Sequence, residues 1–134
     1  MNAEFRTRNA ELEELKMEQR ALNLKPKFKL WLSTNEAEGV FGDGKWRLLK
    51  AVDQHGSLKA AAEALGMSYR KAWGDIKKAE DSLGVALIQR QHGGKSGGSA
   101  RLTETGREWV SAYSLYRQSI EEAVSRAYKK YIPH

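Results

Sequence analysis

With 134 residues, the chain has length for one domain with a single core and extensions at either end. Its 23 Lys+Arg against 17 Asp+Glu leave a formal net charge of +6, a bias that favours polyanionic partners, nucleic acid foremost. The lack of cysteine excludes disulfides, zinc–thiolate sites and thiol catalysis; with neither a membrane-length apolar stretch nor a signal-peptide core, the expected location is the cytoplasm, with no membrane partner.

Residues 1–26 form a polar N-terminal extension. Leu12, Leu15, Gln19 and Leu22 follow a helical rhythm, yet the apolar stripe is thin. A helix and a disordered arm are both compatible with it. After Pro26, the run Lys27-Phe28-Lys29-Leu30-Trp31 alternates polar and apolar residues and predicts a half-buried strand. A glycine-containing loop follows, which can hold the start of the next helix. Trp46, Leu48, Leu49 and Val52 then mark an amphipathic helix over 45–54, closed by Gly56.

Ser57 is placed to cap a short helix whose apolar face is Leu58, Ala61, Ala62 and Leu65. Gly66 permits a left-handed turn, and Ser68 caps a second helix carrying Ala72, Ile76, Ala79 and Leu83 on one side. Two short helices joined at a glycine, with alanines at their crossing, predict a helix-turn-helix. Val85 to Arg90 reads as a strand, residues 92–99 as a glycine-rich tip and Ala100 to Leu102 as a return strand. That hairpin is a wing. From Thr103 to Tyr131 the pattern is helical. Trp109, Tyr113, Tyr116, Ile120, Ala123 and Ala127 recur with coiled-coil spacing and predict a dimer seam. The fold class is therefore mainly α (α+β): a winged helix-turn-helix over 27–102 with a long C-terminal dimerisation helix over 103–134.

The second helix of the pair carries Arg70, Gly74, Lys77 and Asp81 opposite its core side, with Lys71, Trp73 and Lys78 on the flanks. A helix entering a major groove needs long donors and a small residue for close approach. Arg70 is assigned to base readout, and Lys71, Lys77 and Lys78 to phosphates. Tyr69 and Trp73 fit two roles, packing at the core rim or touching DNA. In the wing, Arg90, Lys95 and Arg101 occur without an acid, which suits phosphates or a minor groove.

Catalytic readings fail on spacing. Gly94-Lys95-Ser96 resembles the end of a phosphate-binding loop, but Gln89 stands where its first glycine is required. His55, His92 and His134 share no ligand spacing, and Glu13/Glu14, Asp75/Glu80 and Glu121/Glu122 lie on helical segments that read as solvated. No catalytic, cofactor or metal site is expected.

The stretch Gly56-Ser57-Leu58-Lys59-Ala60-Ala61-Ala62-Glu63-Ala64-Leu65-Gly66-Met67-Ser68-Tyr69, with Ala72-Trp73 and Ile76, resembles the N-terminal DNA-binding domain of ModE-type molybdate-responsive regulators. Gly93-Gly94-Lys95-Ser96-Gly97-Gly98-Ser99-Ala100, then Leu102-Thr103 and Gly106, extends the likeness over about residues 27–128. LysR-type regulators are more distantly similar through the alanine-rich helix, Leu83-Gly84-Val85 and the Leu-Thr-x-x-Gly segment. The resemblance implies a homodimer on palindromic double-stranded DNA, contacted by Ser68, Tyr69, Arg70, Lys71, Trp73 and wing residues Gly93, Gly94, Lys95 and Ser96. It also implies a bacterial, nucleoid-associated transcription regulator linked to molybdate or other oxyanion metabolism. Full-length members carry C-terminal domains that bind molybdate or tungstate; this chain reaches His134 after the long helix, so molybdate sensing is not carried over.

Overall fold

The computed structural model describes residues 8–15, 23–91 and 98–133. Its elements in order are helix α1 (residues 8–15), strands β1 (Trp31–Leu32) and β2 (Phe41–Gly42), helices α2 (Asp43–His55), α3 (Leu58–Ala64) and α4 (Tyr69–Leu83), strands β3 (Ile88–Gln91) and β4 (Ser99–Leu102), and helix α5 (Glu104–Tyr131). Two compact units divide the chain, one of residues 29–116 and one of residues 1–28 with 117–134.

In the larger unit, α3 and α4 start where a serine supplies a partner for a free backbone amide, and α2 and α4 stop at a glycine. Ser57 Oγ accepts the Ala60 N–H at 3.0 Å, and Ser68 Oγ accepts the Lys71 N–H at 3.0 Å. Gly56 and Gly84 end α2 and α4 with φ of 76° and 70°, a conformation that a side chain would strain. Leu48, Leu49, Val52, Leu58, Ala61, Ala62, Ala72, Ile76 and Ala79 are buried between these three helices. The alanines permit the close crossing that defines a helix-turn-helix. Leu65, expected on the buried face of α3, is 40% exposed, because it takes the cap position after Ala64 and leaves the helical register.

The strand predicted over 27–33 shrinks to two paired residues, Trp31 with Gly42 and Leu32 with Phe41. The pairing ends there because α2 begins at Asp43. Burial still alternates, with Leu30 and Leu32 half-buried and Trp31 54% exposed. Gly42 is required by close approach: a Cβ there would lie 2.6 Å from the Trp31 Cβ. The wing is antiparallel, registering Ile88 with Leu102 and Arg90 with Ala100. β3 starts later than expected, since residues 85–87 serve contacts to α4 and α5. Ala100 donates its N–H to the Gly56 carbonyl at 2.9 Å, so β4 is also tied to the end of α2. Together α2–α4 and the β3–β4 hairpin make a winged helix-turn-helix.

The long helix is present as expected, but the seam assigned to it needs correction. Tyr113 is only 3% exposed and belongs to this unit's own core, while Trp109 packs against the same cluster. The Phe41 ring lies 5.0 Å from Trp109 and 5.2 Å from Tyr113, centroid to centroid. Tyr113 is thus taken up by this unit's own core, and Trp109 is half-buried against it. The cause is Phe41, a fully buried ring on the short second strand, which draws both aromatics inward. Buried Asp43 closes the arrangement. Its carboxylate accepts the Leu30 N–H at 3.2 Å, and the Tyr113 hydroxyl donates to Oδ1 at 2.8 Å while lying 2.9 Å from the Leu30 carbonyl oxygen. The Asp43 N–H returns a bond to that carbonyl at 3.0 Å.

In the smaller unit, residues 8–15 are helical and exposed, with Leu12 and Leu15 facing outward. Gln19 and Leu22, the rest of that predicted stripe, lie outside the described residues. The Arg117 guanidinium sits 4.6 Å from the Phe28 ring centroid. Arg117, Ile120, Val124 and Tyr128 are half-buried along this part of α5, whereas Ala123 and Ala127 are exposed.

Replacing Tyr113 with Phe keeps the ring and removes one donor from a buried carboxylate. The expected loss is about 1–3 kcal/mol in urea-induced unfolding. A change below about 0.5 kcal/mol would show that Asp43 does not depend on the hydroxyl.

Candidate nucleic-acid interface

Helix α4 has three sides. Ala72, Ile76 and Ala79 face the core; Trp73 and Glu80, seven residues and two turns apart, share the flank beside the wing. Tyr69, Arg70, Gly74, Lys77, Lys78 and Asp81 are exposed on the remaining surface. The structure thus brings Tyr69, Arg70, Gly74, Lys77 and Lys78, of the sequence-predicted residues, onto the exposed surface of a single helix. Arg70 and Lys78 make no ion pair among the described residues. Lys71 Nζ lies 2.8 Å from Asp75 Oδ2, and Lys77 Nζ lies 3.3 Å from Asp81 Oδ1. These are exposed i, i+4 pairs of about 0.3–0.5 kcal/mol each. A phosphate can replace such a carboxylate as the partner at little cost.

Ser57 and Ser68 both spend their oxygens on caps, which fixes the starts of α3 and α4. Ser68 remains exposed at the end of the outward face; Ser57 is half-buried. Gly74 is the informative position. It sits mid-helix, where glycine costs about 0.5–1 kcal/mol relative to alanine, yet a Cβ there would meet nothing within 4 Å. Packing within the chain does not explain it.

Tyr69 is 49% exposed and Trp73 is 38% exposed, so neither is a core residue. Trp73 has a neighbour instead: the Arg90 guanidinium carbon lies 4.8 Å from its ring centroid. Arg101 projects from the outer side of the hairpin, where its Nε donates to Gln89 Oε1 at 3.3 Å. Gly93, Gly94, Lys95 and Ser96 lie outside the described residues.

Sequence reasoning missed two groups. Glu80 was read as solvated, but it is half-buried and its Oε2 accepts the N–H of Leu87 at 2.7 Å and of Ile88 at 3.4 Å. No spacing rule signals an acid whose partners are backbone amides beyond a helix end. Lys45, in the first turn of α2, donates to the Gly39 carbonyl at 2.6 Å. Burial lowers its pKa, with Asp75 opposing the shift and Lys78 and Lys71 adding to it. Its charge therefore acts within the field of α4. The described residues contain no cluster of three or more His, Asp or Glu placed to hold a metal ion, and no described helix is long and apolar enough to cross a membrane.

Residues 44–107 match the family model described as bacterial regulatory helix-turn-helix protein, lysR family. This segment, which holds α3, α4 and the wing, is thus similar to the helix-turn-helix of lysR-family regulators. Among curated proteins it is 31% identical over 83 residues to the molybdenum-pterin-binding protein MopA of Rhodobacter capsulatus, covering 62% of this chain and 31% of the relative. It is 33% identical over 87 residues to the molybdenum transport protein ModE of Azotobacter vinelandii, covering 65% and 32%. Against the DNA-binding transcriptional dual regulator ModE of Escherichia coli (strain K12) it is 36% identical over 76 residues, covering 57% and 29%. The matches thus span about a third of these relatives' length, and they bear out the likeness to ModE-type regulators. Among solved structures, the CbnR_DBD–DNA complex aligns with a TM-score of 0.55 at 22% identity, over 65% of this chain and 94% of that one. The BenM_DBD/benA site 1 DNA complex aligns at 0.53 and 21%, over 68% and 97%. Both share the fold.

Replacing Gly74 with Ala is expected to stabilise the chain by about 0.5–1 kcal/mol in thermal or urea unfolding. A destabilised variant would mean that the glycine serves the fold itself.

Proposed function

We propose that this chain, with its lysR-type helix-turn-helix at residues 44–107, is a DNA-binding transcription regulator that reads its operator with α4 and the wing. The observation that carries the reading is the outward face of α4. Arg70 and Lys78, without an ion pair among the described residues, weakly paired Lys71 and Lys77, and a glycine with open space around it stand together on one exposed helical surface. Long cationic donors beside a point of close backbone approach suit base edges and phosphates in a major groove. Arg70 takes the direct readout. Lys71, Lys77, Lys78 and Arg101 take phosphates, Ser68 and Tyr69 the sugar–phosphate rim at the start of the helix, and Gly93 to Ser96 the contacts of the wing tip.

The regulator acts as a homodimer. With Tyr113 buried in the core and Trp109 half-buried against it, the seam positions left on α5 are Tyr116, Ile120, Ala123 and Ala127, of which Tyr116, Ala123 and Ala127 are exposed. Paired α4 helices would then meet half-sites about 34 Å apart, or a multiple of that. The curated relatives that carry molybdenum in their names support a place in molybdate or other oxyanion metabolism, and DNA as the partner places the chain in the cytoplasm.

Selection from a randomised duplex library at near-physiological salt tests the reading. A palindrome is the expected product, and Arg70→Ala should lose about 1–3 kcal/mol of discrimination at one position of each half-site. Equal losses on selected and random duplexes would leave only phosphate binding, with its steep salt slope and no preference. For the assembly, Tyr116→Ser with Ala123→Glu is expected to give a folded monomer in analytical ultracentrifugation. A persisting dimer would move the seam elsewhere.

A further inference from the structure

The β3–β4 hairpin meets α4 at two points on one flank. Glu80 holds the entry, through the amides of Leu87 and Ile88. Trp73 meets the hairpin farther along, beneath Arg90. The positions match: Trp73 and Glu80 are separated by two helical turns, and Ile88 and Arg90 point to the same side of β3. Ile88 is buried and Arg90 half-buried, while Gln89 between them is exposed. Across the ladder from Arg90 stands Ala100, too small to compete for the space. Ala100 ties the return strand to the end of α2, yet a hairpin that met α4 at its entry alone could still tilt toward or away from that helix. A second contact removes the tilt.

We propose that Trp73 and Arg90 act as a positioning pair, fixing the angle between wing and α4 so that both reach DNA in one register. The inference rests on the reading of α4 as the DNA-docking helix, and it assigns both residues to each other rather than to the nucleic acid. A planar guanidinium suits this use, because it stacks on an indole face while the indole edge stays in solvent.

The test uses the full chain, randomised duplexes and hydroxyl-radical footprinting of the selected duplex. Trp73→Ala and Arg90→Gln should each retain the base preference set by α4. Each should lose backbone protection at the outer ends of the footprint and bind several-fold more weakly with a shallower salt dependence. The double variant should bind no worse than the weaker single variant, since either change already removes the one contact that both residues share. Trp73→Phe, which keeps a ring under the guanidinium, should restore most of the flanking protection. Additive losses, a change in the inner base preference, or a footprint unchanged in both single variants would overturn the pairing while leaving the DNA-binding reading intact. Failure of the unaltered chain to select any motif would instead overturn that reading, and the inference with it.

Discussion

Helix α4, the wing and the long helix meet at the two peptide groups around Leu87. The Leu87 N–H is held by the Glu80 carboxylate of α4, and the Leu87 carbonyl accepts the Thr103 N–H at 3.0 Å. Thr103 also donates its hydroxyl to the Ala86 carbonyl at 2.7 Å and accepts the Gly106 N–H at 2.9 Å, which caps α5. Gly106 turns its Cα toward the Leu87 carbonyl so closely that no Cβ fits between them. The Leu-Thr-x-x-Gly segment is thereby explained. Threonine joins a helix start to a neighbouring backbone, and glycine lets that helix lie against it.

Much of this architecture was legible because local chemistry and global fold agree. Ser57, Ser68, Gly56, Gly66 and Gly84 mark helix ends by what their atoms can do, independent of distant partners. The alanines of α3 and α4 announced a close crossing, and the basic wing announced itself by composition. What escaped reading depends on contacts between positions far apart. Phe41 sits on a strand of two residues, too short for any period, and only its burial explains why Tyr113 turns inward across a separation of more than seventy residues. The heptad rhythm through 109–127 was real, but a 3–4 spacing cannot say whether the surface it meets belongs to the same chain.

The candidate interface was legible in part for the same reason. Charges on one helix face follow from periodicity, so the outward set on α4 was assembled correctly from spacing alone. The neighbours of those charges do not follow. Trp73 fitted two roles from sequence because an exposed indole and a rim indole share a helical position, and it took the guanidinium of Arg90 to show what lies over it. Glu80 looked like surface for the complementary reason: the amides that desolvate it belong to residues with no polar side chain.

Two of the acids on α4 are neither structural nor hidden. Asp75 and Asp81 accompany Lys71 and Lys77 on the helix assigned to DNA, and each brings negative charge toward phosphates wherever α4 settles. Were α4 to dock as proposed, that repulsion would go unopposed on random duplex and be outweighed by base contacts on the right sequence. A helix carrying lysines alone would hold any duplex longer and spend its time on the wrong ones. On the proposed reading, the carboxylates would lower affinity for random sequence more than for the operator, and so sharpen the choice between them.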